Sequence, residues 1–131
     1  MKQTMVLAAI LASIIVLSCD EMGYFDIDVA NDCTWEIKVA IITQAKRDKI
    51  GAPPDLSSFI SINPRSGRVF RHLEVNRYYI YIIPKDPNNP GDETISAAHN
   101  QTAMIVDKYD TWVVRWDSEA EKYKIAYTRT P

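Results

Sequence analysis

The stretch Tyr24-Phe-Asp-Ile-Asp-Val-Ala-Asn-Asp-Cys-Thr-Trp-Glu-Ile-Lys-Val-Ala-Ile41 indicates the fold of this chain most directly. Apolar and polar residues alternate on both sides of the Asn31-Asp32 pair. A period of two places every second side chain on one face of a strand, so each half is predicted to be a half-buried strand. Asn31-Asp32 is typical of a turn. The short connection favours a hairpin, and a crossing between two sheets is the alternative.

The remaining chain continues this pattern of short strands and turns. Residues Gln44 to Ser57 are predicted to form a loop, with one frayed helical turn before Gly51 at most, and Asn76-Arg77 is predicted to be a tight turn. Further strands are predicted at Phe59–Ile62, Val69–Val75, Tyr78–Ile83, Ala103–Val106, Trp112–Trp116 and Tyr123–Tyr127. The sequence therefore predicts an all-β fold, a single small antiparallel β-sandwich of about seven to eight strands.

The segment Tyr78-Tyr-Ile-Tyr-Ile-Ile83 is apolar on both faces, which predicts a central strand covered on both sides. Three tyrosines within four residues cannot all face one way, so the alternative is an exposed aromatic patch. The irregular segment Pro84–Thr102 follows directly, and loops of this length tend to be functional or disordered. We predict a protein or glycan partner for this region. The candidate binding residues are Tyr78, Tyr79, Tyr81, Asp86, Asn88, Asn89 and Asp92.

The first residues have the form of an export signal. Lys2 is followed by an uncharged apolar run of about thirteen residues, too short for the roughly 20 that span a bilayer as a helix. Val16-Leu-Ser-Cys19 resembles the lipobox of bacterial lipoproteins. The resemblance implies cleavage between Ser18 and Cys19, diacylation of Cys19 and anchoring to a bilayer of the cell envelope. The choice between inner and outer membrane stays open.

These features divide the chain into three parts. Residues 1–18 are the signal peptide, residues 19–23 are the lipidated cysteine and a short tether, and residues 24–131 are the β-sandwich domain. The tether reaches about 13 Å when fully extended, so the domain is expected to lie against the membrane.

The mature chain also resembles small immunoglobulin-like or prealbumin-like β-sandwich modules of exported bacterial proteins. The resemblance rests on Val29-Ala-Asn31, on Ile62-Asn-Pro64 with a glycine after the turn, on Phe70 and on Asn76-Arg-Tyr-Tyr-Ile-Tyr-Ile82. The chain departs from that pattern where Arg65-Ser66 follows the proline and where Asn76-Arg77 replaces a glycine. The resemblance implies the fold and transfers no functional residue.

Charge and cysteine usage narrow the class of protein. The whole chain has a net charge of −2, and removal of the leader with Lys2 makes it −3, so no nucleic-acid partner is expected. Acylation of Cys19 would leave Cys33 unpaired. A small buried hydrophobe is the expected role of Cys33, and a reactive or intermolecular thiol is the alternative.

The sequence favours no catalytic chemistry. His72 and His99 lack a second ligand at metal-binding spacing, and no nucleophile elbow or phosphate-binding glycine loop occurs. We expect no enzyme activity, cofactor or metal. The acidic residues are interpreted as solvated or turn-forming, with a calcium site as the alternative. Lys46-Arg-Asp-Lys49 is interpreted as a solvated loop, with contact to anionic lipid as the alternative.

Trp35, Trp112 and Trp116 are predicted to pack in the core, because they share the apolar parity of their strands. The overall prediction is a membrane-anchored, non-catalytic binding or structural module of the cell envelope. The alternative is a small envelope inhibitor or accessory subunit that blocks or assists an enzyme through residues 84–102.

Overall fold

The computed structural model describes residues 23–91, 93–95 and 100–128. The described residues form two four-stranded sheets, with strand orders β4-β1-β7-β8 and β3-β2-β5-β6. The elements are β1 (Tyr24–Asn31), β2 (Ile37–Thr43), α1 (Gln44–Ile50), a 3-10 turn (Leu56–Ser58), β3 (Ile60–Ile62), β4 (Gly67–Glu74), β5 (Asn76–Ile83), β6 (Gln101–Val106), β7 (Asp110–Asp117) and β8 (Lys122–Thr128). The predicted all-β sandwich is confirmed.

The first two strands lie in different sheets. β1 pairs antiparallel with β4 and parallel with β7, whereas β2 lies between β3 and β5. The preferred prediction of a hairpin is therefore wrong, and the alternative of a crossing between sheets is correct. The parallel β1–β7 pair departs from the predicted antiparallel arrangement. It is possible because β2 to β6 form the long connection that parallel neighbours require.

Two local predictions are corrected by backbone hydrogen bonds. Residues 44–50 are a two-turn helix, since the Thr43 hydroxyl accepts the N–H of Lys46 and Gly51, at φ 66°, donates its N–H to the Arg47 carbonyl. The predicted turn at Asn76-Arg77 is instead the start of β5. The chain crosses between the sheets at Val75, and no tight turn is needed because β4 and β5 do not pair.

The core lies between the two sheets, and β5 has buried side chains on both of its faces. Tyr78, Ile80 and Ile82 point into the core between the sheets. Tyr81 and Ile83 are buried on the opposite face, where the Arg47 guanidinium lies 4.0 Å from the ring centroid of Tyr79. The prediction that this central strand is covered on both sides is confirmed.

The sandwich has two ends, which we call the N-terminal end and the far end. The N-terminal end carries Gly23, the crossing at Val75 and the turn at 107–109. The far end carries the connections at 32–36, 63–66 and 118–121 and the segment 84–91. The eight residues of β1 separate the two ends by about 26 Å. No helix in the described part of the chain is long and apolar enough to cross a membrane.

Candidate binding site at the far end

A buried amide joins the connections of the far end. Asn31, the last residue of β1, is 1% exposed. Its Nδ2 group donates to the carbonyls of Trp35, Ile62 and Asn63 at 2.9, 3.1 and 3.2 Å. Its Oδ1 accepts the N–H of Cys33 at 2.9 Å. One side chain therefore fixes the connection after β1 against the connection after β3.

The next residue, Asp32, is the centre of a surface ion-pair network. The Arg115 Nε lies 3.0 Å from its Oδ2, and Arg65 Nη1 donates to its Oδ1. Arg115 lies in the interior strand β7, whereas Asp32 and Arg65 lie in the connections at 32–36 and 63–66, so the network links three separate segments. Exposed pairs of this kind contribute little to stability, about 0–1 kcal/mol each. Their effect here is to set a fixed pattern of charge beside Trp116.

Three aromatic residues form a cluster next to this network. The Trp35 indole Nε1 donates to the Tyr123 hydroxyl at 3.1 Å. The Trp116 ring lies 4.9 Å from the Tyr123 ring and 6.4 Å from the Trp35 ring, both edge to face. Burial raises the pKa of Tyr123 to about 12. The cluster closes the far end of the core while Trp35 and Trp116 stay partly exposed.

The turn between β7 and β8 fixes the position of Trp116. Asp117 Oδ1 accepts the N–H groups of Glu119 and Ala120 at 3.0 and 3.2 Å. Its other oxygen pairs with Lys124, and this hydrogen bond is the main cause that lowers the pKa of Asp117. The strand end is therefore held in place directly beside the indole, which is useful for a rigid contact residue.

Trp116 divides two open depressions. The first, of about 380 Å³, is lined by Lys85, Asp86, Asn88, Trp116, Ser118 and Glu121. The second, of about 330 Å³, is lined by Asp32, Cys33, Thr34, Trp35, Arg65, Arg115, Trp116 and Ser118. Tryptophan, tyrosine and arginine are the residues that contribute most to protein–protein binding, and charged or polar rims surround them. The far end has this composition.

Two of the predicted loop residues, Asp86 and Asn88, line this site. Asp86 Oδ1 accepts the N–H of Asn88 at 2.9 Å, and the Asp86 carbonyl accepts the N–H of Asn89 at 3.0 Å. These bonds order the start of the loop and place Asp86 and Asn88 against Trp116. Asp92 lies outside the described residues, as do His99 and the predicted cleavage and lipidation site at Ser18 and Cys19.

The predicted tyrosines do not lie at this site. Tyr78 is 4% exposed and donates its hydroxyl to the Glu74 carbonyl at 2.8 Å, near the N-terminal end. Tyr81 is 2% exposed. Tyr79 is partly exposed beneath Arg47. The alternative of an exposed tyrosine patch on β5 is wrong for Tyr78 and Tyr81. Tyr78 is covered by the second sheet, and Tyr81 is buried on the opposite face, where α1 lies.

The sequence missed the central residue of the site. Strand parity predicts that Trp116 packs in the core, and its packing against the core is only part of its environment. Its position as the last apolar residue before the polar run at 117–122 is the signal that it lies at a strand end. Trp112, four residues earlier, is 0% exposed and confirms the core prediction.

Cys33 is beneath the same surface but has the environment of a core residue. It is unpaired and 4% exposed. Burial raises the pKa of its thiol, which lowers the thiolate fraction that nucleophilic chemistry needs. The prediction of a small buried hydrophobe is confirmed. Among the described residues, no group of three or more His, Cys, Asp or Glu side chains is placed to hold a metal ion.

Comparison with known proteins shows a loose likeness to a solved structure. No protein-family model and no curated protein matches the chain. The chain is similar to the crystal structure of the T6SS lipoprotein TssJ1 from Pseudomonas aeruginosa, with 9% sequence identity and a TM-score of 0.47. The match covers 83% of this chain and 98% of that chain. A superposition this loose carries no argument about function or partners.

Proposed function

We propose that this chain is a membrane-anchored lipoprotein of the cell envelope, whose β-sandwich is a non-catalytic module that binds an envelope protein with its far end. The observation that carries the proposal is the placement of Trp116, fixed between the Asp32 ion-pair network and the start of the 84–102 loop. The binding surface keeps the 84–102 loop predicted from the sequence, and Trp116 takes the place of the predicted β5 tyrosines.

The direction of the site supports a partner away from the membrane. The lipobox-like Val16–Cys19 is followed by a short tether that ends at Gly23, directly before β1 at the N-terminal end. The far end is about 26 Å away along β1 and would point away from the bilayer. A surface in that position can be reached by other envelope proteins while the acyl chains hold the domain in place.

The chemistry of the site favours a protein over a small substrate. The depressions are open, and their lining mixes the indoles of Trp35 and Trp116 with charged groups of both signs: Asp32, Arg65 and Arg115 on one side, Lys85, Asp86 and Glu121 on the other. Charged groups around an interface give it orientation and specificity when the partner presents complementary charges. The apolar anchor for binding energy would be Trp116.

Crosslinking in membranes followed by affinity purification tests the proposal. Trp116→Ala is expected to reduce recovery of the partner about tenfold or more, as for a hot-spot aromatic residue. Asn88→Arg fills the same depression without changing a core contact, and it is expected to reduce recovery in the same way. It therefore tests the site even if Trp116→Ala unfolds the domain. Val69→Ala, at an exposed apolar residue within β4, is the control and should leave recovery unchanged.

The outcomes separate the functional classes. Unchanged partners in both far-end variants would overturn the binding-site proposal. Recovery of one soluble hydrolase in place of envelope proteins would instead identify an inhibitor or accessory subunit that acts through residues 84–102. The anchor is tested separately: Cys19→Ala should abolish membrane fractionation and the mass of the acyl chains, and retention of both would contradict lipidation.

A further inference from the structure

The N-terminal end of the sandwich exposes apolar side chains that the folded chain leaves uncovered. Among the described residues, seven large apolar side chains are exposed, and three of them lie at this end. They are Val75 (52% exposed), Tyr109 (62%) and Ile105 (48%). Single exposed apolar residues are normal on a protein surface, whereas a group of them at one end indicates a contact surface.

Strand pairing brings these residues to the same end. The N–H of Val75 donates to the Gly23 carbonyl at 2.9 Å, so Val75 lies beside the first described residue. Asn76 is opposite Val106 in the β5–β6 pair, which places Val75 next to the turn that carries Tyr109. Two contacts hold the other residues in place: the Tyr109 ring lies edge to face with Phe25 at 5.2 Å, and the N–H of Ile105 donates to the Tyr127 hydroxyl at 2.9 Å.

The length of chain before Gly23 decides what can cover this surface. Four residues, Asp20-Glu-Met-Gly23, follow Cys19 and reach at most about 13 Å. If Cys19 carries acyl chains in the bilayer, Gly23 lies within that distance of the lipid surface. Val75 is hydrogen-bonded to Gly23, so it has the same limit. The occupant favoured by this geometry is therefore the bilayer to which the chain is anchored.

The charges at this end indicate which kind of lipid contact it is. The turn and strand ends carry the basic residues Arg77 and Lys108 and the acidic residues Glu74, Asp107 and Asp110. These charges nearly balance, so anionic headgroups would not attract the surface strongly. Tyrosine side chains prefer the headgroup region, where the ring is apolar and the hydroxyl is hydrated. The expected contact is apolar and aromatic and has little dependence on salt.

We infer that the N-terminal end, with Val75 and Tyr109 at its centre, is a second lipid-binding element that seats the domain upright on a neutral bilayer surface. The inference rests on the proposed anchoring through Cys19 and adds an orientation that the acyl chains cannot provide. Seated in this way, the domain presents Trp116 away from the membrane.

Site-specific labelling tests the seating. Cys33 is buried and Cys19 would be acylated, so an added cysteine is expected to be the accessible thiol of the chain. The full chain with Val75→Cys, made with its own leader, is labelled with an environment-sensitive fluorophore and reconstituted into phosphatidylcholine vesicles containing brominated lipid. Bromine quenching at position 75 is expected to be several-fold stronger than at control positions where the label is exposed to buffer.

The chain offers two matched controls. Val69→Cys replaces the same residue type at nearly the same exposure, 49%, but in the middle of β4. Ala120→Cys lies in the β7–β8 turn at the far end. Both labels should be quenched weakly, and the ratio between positions 75 and 69 should be unchanged by high salt or by added anionic lipid.

The outcomes separate this inference from the proposed function. Equal quenching at positions 75, 69 and 120, on a chain that still floats with the vesicles, would overturn the seating and leave the anchor intact. A chain that fails to float with vesicles would contradict the anchor itself. Strong quenching only with anionic lipid, and lost at high salt, would overturn the apolar contact in favour of electrostatic attraction.

Discussion

The two ends of this sandwich are built on different principles. At the far end, the buried Asn31 amide, the Asp32 ion pairs and the Trp35–Tyr123 hydrogen bond join several connections to one another. At the N-terminal end the connections are short, one residue at Val75 and three at 107–109, and apolar side chains remain exposed. The comparison shows that one fold can concentrate stabilising polar contacts at one end and leave the other free for an external surface.

Substitution of Asn31 gives the strongest test of this difference. Asn31→Asp replaces the donor that three carbonyls share with a carboxylate oxygen in a buried site. We expect a loss of about 3 kcal/mol in the free energy of unfolding, measured by urea denaturation. Asn63→Asp, the same change at an exposed position of the same end, should cost less than about 0.5 kcal/mol. A similar cost at both positions would mean that the buried amide has no special role.

Removal of the Tyr123 hydroxyl is a smaller change that also depends on pH. Tyr123→Phe leaves the Trp35 indole N–H without its acceptor, and a loss of about 1 kcal/mol is expected at neutral pH. In wild type the pKa of about 12 lies above the ordinary value of 10, so the native state keeps its proton while the unfolded chain releases it. Stability should therefore fall from pH 10 towards pH 12.

Comparison of pH profiles isolates this effect. Urea denaturation of both proteins across that alkaline range should show a shallower fall for Tyr123→Phe, because the phenyl group has no proton to keep. Parallel profiles for the two proteins would indicate that Tyr123 ionises normally in the fold.

Substitution of Val75 should have the smallest effect on folding. Val75→Ser removes an exposed side chain and keeps the N–H bond to Gly23, so the free energy of unfolding in solution should change by less than about 0.5 kcal/mol. A loss of more than about 1 kcal/mol in thermal or urea denaturation would show that Val75 stabilises the fold, and the contrast between the two ends would be weaker.

The predictability of the fold differs between local and non-local features. Alternating residues in β1 and β2 and the apolar run in β5 predicted strands correctly, because a strand leaves a period of two in the sequence. The sheet to which each strand belongs was not predictable in this way. A five-residue connection after Asn31 permits either a hairpin or a crossing, and the buried contacts of Asn31 decide it. The signals for α1, Thr43 and Gly51, were present but embedded in loop-like composition.

The candidate site was predictable only in part. The 84–102 loop was recognisable from its length and prolines, and its residues Asp86 and Asn88 line the site. The β5 tyrosines are adjacent to this loop in the sequence, but Tyr78 and Tyr81 are buried. Tyr78 lies near the N-terminal end because β5 begins there, and side-chain alternation along β5 turns it between the sheets.

The sequence by itself determined the strands, the apolar core positions and the expected export and lipidation signal in residues 1–19, since periodicity and a short motif are local properties. Tertiary structure decided which residues meet. Trp116, Asp32 and Lys85 are far apart in the chain, and the crossings between the two sheets bring their segments to one end. The same crossings leave Val75 and Tyr109 beside Gly23 at the other end. Side-chain alternation records the face on which a residue lies, but it carries no information about which end of another strand lies next to it.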